Sequence, residues 1–147
     1  KDCLEVNRKL IWPKAMFLWL YMSNAFYVPF VSVYLRNVGF SNLVIGTVFA
    51  IRPFLGFVSS PFWGFCADRS GKHKLVLVFV IIVTGVTRLS LLLMDSQTMI
   101  LIVLFGSDFF GYALEPMVDS TVLEMLHDSL LFGKQRLWGA IGWGWVG

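Results

Sequence analysis

The sequence reads as an all-α, multi-pass transmembrane helix bundle. Of its 147 residues, 57% are hydrophobic and only 14% are charged, and the mean hydropathy is +0.74, well outside the composition of a water-soluble globule. The apolar residues fall in blocks of roughly 20, the length at which a helix rising 1.5 Å per residue crosses a hydrocarbon core of about 30 Å. Most charges gather between the blocks, where water and headgroups solvate them. Such a fold is held by helix contacts in lipid rather than by a core that excludes water.

Four blocks and an incomplete fifth fit the chain. Residues 1–9 are polar, and the first span is expected over about 10–35, with Lys14, Asn24, Pro29 and Ser32 inside it. It is too long for a signal-peptide core and lacks a small-residue cleavage site, so it reads as a retained helix. After a turn at Asn37, Gly39 and Ser41, a second span over about 43–65 carries Arg52, Pro53 and Pro61. Its prolines bend the helix, because proline has no N–H and crowds the preceding turn. A polar loop over 68–74 leads to an almost purely aliphatic third span, 75–94, broken by Thr84, Thr87, Arg88 and Ser90. Residues 95–98 turn the chain, and a fourth span over about 99–125 brings it back carrying Asp108, Glu115 and Asp119. A linker over 127–132 precedes a fifth helix over 133–147, and these fifteen residues are too few for a crossing, so the chain reads as truncated.

Nine basic residues lie on one side of these spans: Lys1, Arg8, Lys9 and Lys14 at the start, Arg69, Lys72 and Lys74 in the second-to-third loop, and Lys134 and Arg136 before the fifth helix. Arg36 alone lies on the other. The positive-inside rule therefore expects a cytoplasmic N-terminus. The net charge of +3 comes from residues that flank spans, not from a basic stripe, which argues against nucleic-acid binding. Cys3 and Cys66 both fall on the expected cytoplasmic side and imply no disulfide framework. Their spacing, with His73 and His127 apart from them, fits no zinc or redox motif. No arrangement for covalent chemistry is visible, so neither an enzyme nor a cofactor is expected.

Ionisable residues inside a span cost at least about 2.5–3.5 kcal/mol each and need a partner, a watery cavity or a task. Asp108, Glu115 and Asp119, spaced 7 and 4, fall within roughly 40° on an unbroken helix and would form one acidic stripe facing the bundle interior. Arg52 lies at a depth similar to Asp108, and Arg136 approaches Asp119 from the cytoplasmic side, so two ion pairs are expected. Such pairs either fix helix register or serve proton or cation coupling. Trp143 follows Arg136 by seven residues, on the same helix face, where an indole beside a guanidinium can stack on a sugar ring or base.

Gly64-Phe65-Cys66-Ala67-Asp68-Arg69-Ser70-Gly71-Lys72-His73-Lys74 resembles the loop signature between the second and third helices of the major facilitator superfamily. Gly71 permits a tight turn, Asp68 can face a helix N-terminus, and Arg69, Lys72 and Lys74 hold the loop in the cytoplasm. Pro61-Phe62-Trp63-Gly64, Glu115-Pro116-Met117-Val118-Asp119 and Gly133-Lys134-Gln135-Arg136-Leu137-Trp138-Gly139-Ala140-Ile141-Gly142-Trp143 look like the lactose-permease-like subgroup, which includes nucleoside:proton symporters and the major-facilitator domain-containing 6 proteins. The proline-to-arginine interval is one residue shorter here, and Asp stands in place of Glu.

The resemblance implies the first four to five helices of a twelve-helix fold, with the C-terminal half supplied by a longer chain. It implies a secondary transporter using proton-coupled symport of a small hydroxylated solute by alternating access. Asp119, Arg136 and Trp143 would bind the solute, Asp108, Glu115 and Arg52 would serve proton coupling or ion pairing, and Gly64, Asp68, Arg69, Gly71, Lys72 and Lys74 would form a cytoplasmic gate. Partners would be the solute, protons and the lipid bilayer. Two alternatives stay open: a non-transporting receptor or scaffold with the same fold, and an inactive truncated product.

Overall fold

The structure, a computed structural model, describes residues 11–126 and 132–145. Lys1, Cys3, Arg8, Lys9 and His127 lie outside them. Among the described residues six α-helices follow in order: α1 (Ile11–Asn37), α2 (Asn42–Ser70), α3 (His73–Ser90), α4 (Gln97–Gly111), α5 (Leu114–Met125) and α6 (Phe132–Gly144). There is no strand among the described residues. Among the described residues, four segments are long and apolar enough to cross a membrane: Ile11–Asn37, Asn42–Ser70, His73–Leu93 and Gln97–Met125. The chain is therefore an integral, multi-pass membrane protein. It divides into two compact units, one of residues 33–117 and one of residues 1–32 with 118–147.

In the unit of residues 33–117, α2, α3 and α4 pack against one another. Leu77 and Val80 from α3 and Ile100 and Leu104 from α4 are buried. Trp63, Phe62, Phe109 and Phe110 form an aromatic cluster with ring centroids 5.2–6.4 Å apart, a geometry that adds to the burial of the rings themselves. Polar ties fix the ends: the Tyr34 hydroxyl donates to the Leu91 carbonyl at 2.6 Å, and Gln97 Nε2 donates to the Val38 carbonyl at 3.3 Å. Ser41 caps α2, its side chain accepting from the Val44 N–H at 3.4 Å.

The loop expected over 68–74 is mostly helical. The second helix continues through Ser70 and the third begins at His73, leaving Gly71 and Lys72 as the whole link. Gly71 takes φ +60° and its N–H closes the helix on the carbonyls of Ala67 and Asp68, at 3.1 and 3.2 Å. An L-residue there meets its own Cβ against the following carbonyl, so Gly71→Ala should destabilise by about 1–2 kcal/mol, and Gly71→Asn by less. Thermal unfolding of the purified full-length chain in detergent measures the difference.

Where the sequence suggests a single helix over 99–125, the structure has α4 and α5 separated by a turn at Tyr112 and Ala113. The cause is Pro116, which cannot donate to the carbonyl of Tyr112, four residues back, and whose ring crowds it. Serines of α2 take up the slack. Ser60 Oγ donates to the Tyr112 carbonyl at 3.3 Å, and Ser59 Oγ donates to the Phe109 carbonyl.

In the other unit, Val118 and Val122 of α5 and Leu126 just beyond its end are buried, spaced four apart along the chain. The buried face of α6 carries Gln135, Gly139 and Gly142. Its glycines admit α1 closely: a Cβ at Gly142 would lie 2.7 Å from the Leu18 carbonyl oxygen, and one at Gly139 would lie 2.5 Å from Tyr21 Cδ2. Backbone contact of this kind is how helices associate where lipid gives no hydrophobic drive. Phe17, fully buried, packs edge-on against Phe132 with centroids 6.0 Å apart.

Candidate functional site

The unit of residues 1–32 and 118–147 contains an open groove of about 480 Å³ lined by Tyr21, Arg136, Ala140 and Trp143. The last three lie at positions i, i+4 and i+7 of α6, so they share one face of the helix. This face is distinct from the one that Gly139 and Gly142 press on α1. The glycine contacts thus fix the helix and leave the Arg136 face turned to the groove.

Arg136 is placed between two partners. Its Nη1 lies 3.8 Å from Asp119 Oδ2, and its Nη2 donates to the Tyr21 hydroxyl at 3.4 Å. Both distances are long for charge-assisted bonds, which run near 2.7–2.9 Å. The Arg136 side chain is 49% exposed and that of Asp119 is 22% exposed. Trp143, also part exposed, offers a flat apolar face beside the guanidinium. Two of the three expected solute-binding residues therefore line one groove, and the third touches it through Arg136.

The second expected pair lies in the unit of residues 33–117. Arg52 Nε donates to Asp108 Oδ2 at 2.6 Å and Nη2 to Oδ1 at 2.9 Å, a bidentate clasp between α2 and α4. Its side chains are only 6% and 2% exposed. The guanidinium also lies 5.0 Å from the centre of the Phe49 ring, a cation–π contact. This pair is closed where the Arg136 pair is open.

Asp108, Glu115 and Asp119 do not share one helix. The turn at 112–113 leaves Asp108 on α4 and the other two on α5. The single stripe presumed an unbroken helix. Of the loop signature, Gly64, Asp68 and Arg69 belong to α2, Gly71 makes the turn, Lys72 precedes α3 and Lys74 lies in its first turn. Asp68 Oδ1 lies 3.7 Å from His73 Nε2, the first residue of α3, at the surface. Among the described residues no group of three or more His, Cys, Asp or Glu side chains is placed to hold a metal ion.

Sequence reasoning passed over Tyr21, because one tyrosine in an apolar span carries no pattern. The signal lies on the other helix, in the glycine pair three residues apart beside Arg136.

Comparison with known proteins adds a family match. The model of the MFS_1 like family matches residues 10–146. An uncharacterised transporter of Bacillus subtilis, YwbF, is 25% identical over 96% of this chain and 36% of its own length. A maltose permease of Geobacillus stearothermophilus is 26% identical over 92% of this chain and 34% of its own length. The multidrug resistance protein MdtG of Dickeya zeae is 38% identical over 34% of this chain and 14% of its own length. The chain thus spans about a third of the length of the first two relatives. No solved structure matches it.

Proposed function

The chain belongs to the MFS_1 like family, within the major facilitator superfamily, and we propose from this that it is part of a secondary transporter coupling a small hydroxylated solute, a sugar or nucleoside, to protons. One observation carries the reading. Arg136 and Trp143 line the same groove, with the Asp119 carboxylate 3.8 Å from the guanidinium. Arg136 supplies N–H donors, Asp119 an acceptor and Trp143 a stacking face, the complement of a polyhydroxylated ring with one apolar side. A subgroup akin to lactose permease fits this combination, and the Geobacillus relative, a maltose permease, points the same way.

In this reading the N-terminus is cytoplasmic and the chain supplies the first helices of the fold, the solute being held where one half of the transporter rocks against the other. The Arg52–Asp108 clasp and Glu115 serve proton coupling, since a carboxylate that trades an arginine partner for a proton changes charge with conformation. Asp68 and Arg69, at the end of α2, belong to the cytoplasmic gate.

The test is Asp119→Asn in the full-length protein, reconstituted into proteoliposomes and given labelled sugars and nucleosides under an imposed pH gradient. Uptake driven by the gradient is expected for the parent protein. For the variant, at equal membrane abundance, it should fall about a hundredfold or more, the loss that follows when a charged hydrogen-bonding partner is removed. Unchanged uptake overturns the assignment of Asp119. Binding by the parent protein without flux would make it a receptor.

A further inference from the structure

We propose that a second groove, between α2 and α3 beside their turn, is a binding site for an anionic phospholipid, its headgroup phosphate at Lys72 and one acyl chain lying between the helices. The groove holds about 270 Å³, with Lys72 at the turn, Trp63 and Cys66 on the α2 side, and Leu75, Val76 and Phe79 on the α3 side. It runs from the polar end of the two spans into their apolar part. Trp63 lies seven residues before Ser70 and Phe79 seven after Lys72, about 10 Å of depth on each helix at 1.5 Å per residue. The Trp63 and Phe79 rings, one from each helix, meet there with centroids 6.1 Å apart. One cation at the mouth with an apolar slot behind it matches a lipid, headgroup first and chain after. It offers a hydroxylated solute almost nothing to bond.

Charge favours an anionic headgroup over a zwitterionic one. At this end of the hairpin Arg69, Lys72 and Lys74 stand against Asp68 alone, and all four are exposed. Basic residues just beyond the end of a span attract anionic lipids, each adding about fivefold to the affinity. The lining fits a chain for a separate reason. Leu75 and Phe79 are 63% and 52% exposed, and in a bilayer only hydrocarbon covers such side chains without cost. The volume is also below that of most pockets for compact small molecules, whereas a single chain needs only a slot. Ser70, which lines the same groove, is spent on the turn: its hydroxyl donates to the Ala67 carbonyl at 2.9 Å and accepts from the Lys72 N–H at 3.4 Å. That bond holds the backbone of Lys72 at the mouth.

The inference stands apart from solute binding, since neither Asp119 nor Arg136 takes part. The experiment uses the full-length protein in nanodiscs of equimolar phosphatidylcholine and phosphatidylglycerol, with native mass spectrometry counting the lipids that stay on it. The parent protein is expected to retain phosphatidylglycerol over phosphatidylcholine by about fivefold, and Lys72→Gln to bring the two close to parity. Lys134→Gln removes an equally exposed lysine outside the groove and should leave the preference standing. Val76→Phe fills the groove, keeps every charge and should lose the retained lipid. Should that variant fail to fold, the half-buried thiol of Cys66 gives the second reading. Its alkylation by N-ethylmaleimide, followed by peptide mass spectrometry, should be about fivefold slower with phosphatidylglycerol present than in phosphatidylcholine alone, and Lys72→Gln should abolish the difference. Equal retention of the two lipids by the parent protein overturns the inference. So does an equal loss in Lys72→Gln and Lys134→Gln, which would mean diffuse attraction to the whole basic surface. Protection of Cys66 by glycerol 3-phosphate in phosphatidylcholine discs would make the ligand a free phosphate and overturns it too.

Discussion

Asp108→Ala is expected to cost the folded protein roughly 3–5 kcal/mol, the largest effect of any single truncation in the unit of residues 33–117. Both oxygens of Asp108 accept from Arg52, at 2.6 and 2.9 Å, and both side chains are almost wholly buried. Without the carboxylate the guanidinium keeps its desolvation penalty and loses its counter-charge. Replacing the whole pair, as Arg52→Met with Asp108→Leu, should recover most of the loss, since buried ion pairs are often no better than hydrophobic residues of similar size. Unfolding of the purified full-length protein in detergent measures both variants. The double variant also separates the two tasks open to this pair. If the pair only fixes helix register, the refolded double variant keeps pH-driven uptake; if the pair carries the coupling proton, uptake becomes indifferent to the pH gradient.

Gly142→Ala should be nearly as damaging, for a steric reason. The added methyl would lie 2.7 Å from the Leu18 carbonyl oxygen and 3.4 Å from Leu18 C and Cα. Those atoms are backbone, so a whole helix must move rather than one side chain. Overpacking of this kind costs about 1–3 kcal/mol or more. Gly46→Ala is the control, because nothing lies within 4 Å of the Cβ it would add. In a helix interior that change is worth roughly 0.5–1 kcal/mol in favour of alanine. Opposite shifts of the unfolding temperature for the two substitutions are the expected result. Parallel shifts would mean that helix propensity, not contact with α1, governs position 142.

Helix order and approximate spans were legible because membrane crossing requires long apolar runs with charges at their ends. The pairing of Arg52 with Asp108 and of Arg136 with Asp119 followed from depth along the spans alone. Two features resisted the same arithmetic. Adding 100° per residue from Asp108 to Asp119 assumes one continuous helix, whereas Pro116 removes a hydrogen bond and Ser59 and Ser60 of α2 stabilise the break from another part of the chain. The polar stretch from Asp68 to Lys74 looked like a loop by composition, yet α2 runs on to Ser70, because charged side chains at a helix end are solvated without unwinding it. Tyr21 was invisible for a third reason. It meets Arg136 across more than a hundred residues of sequence, and only packing brings the two together.

The two-residue link of Gly71 and Lys72 makes α2 and α3 a helical hairpin with almost no slack. Neither span can slide along its axis without dragging the other, so the pair is expected to enter the bilayer as one unit during synthesis rather than in succession. An epitope or reporter placed between them would have to unwind the end of a helix to make room. The same economy makes the hairpin a firm lever: a displacement at one end of α2 is passed to α3 undiminished, with no flexible tether to absorb it.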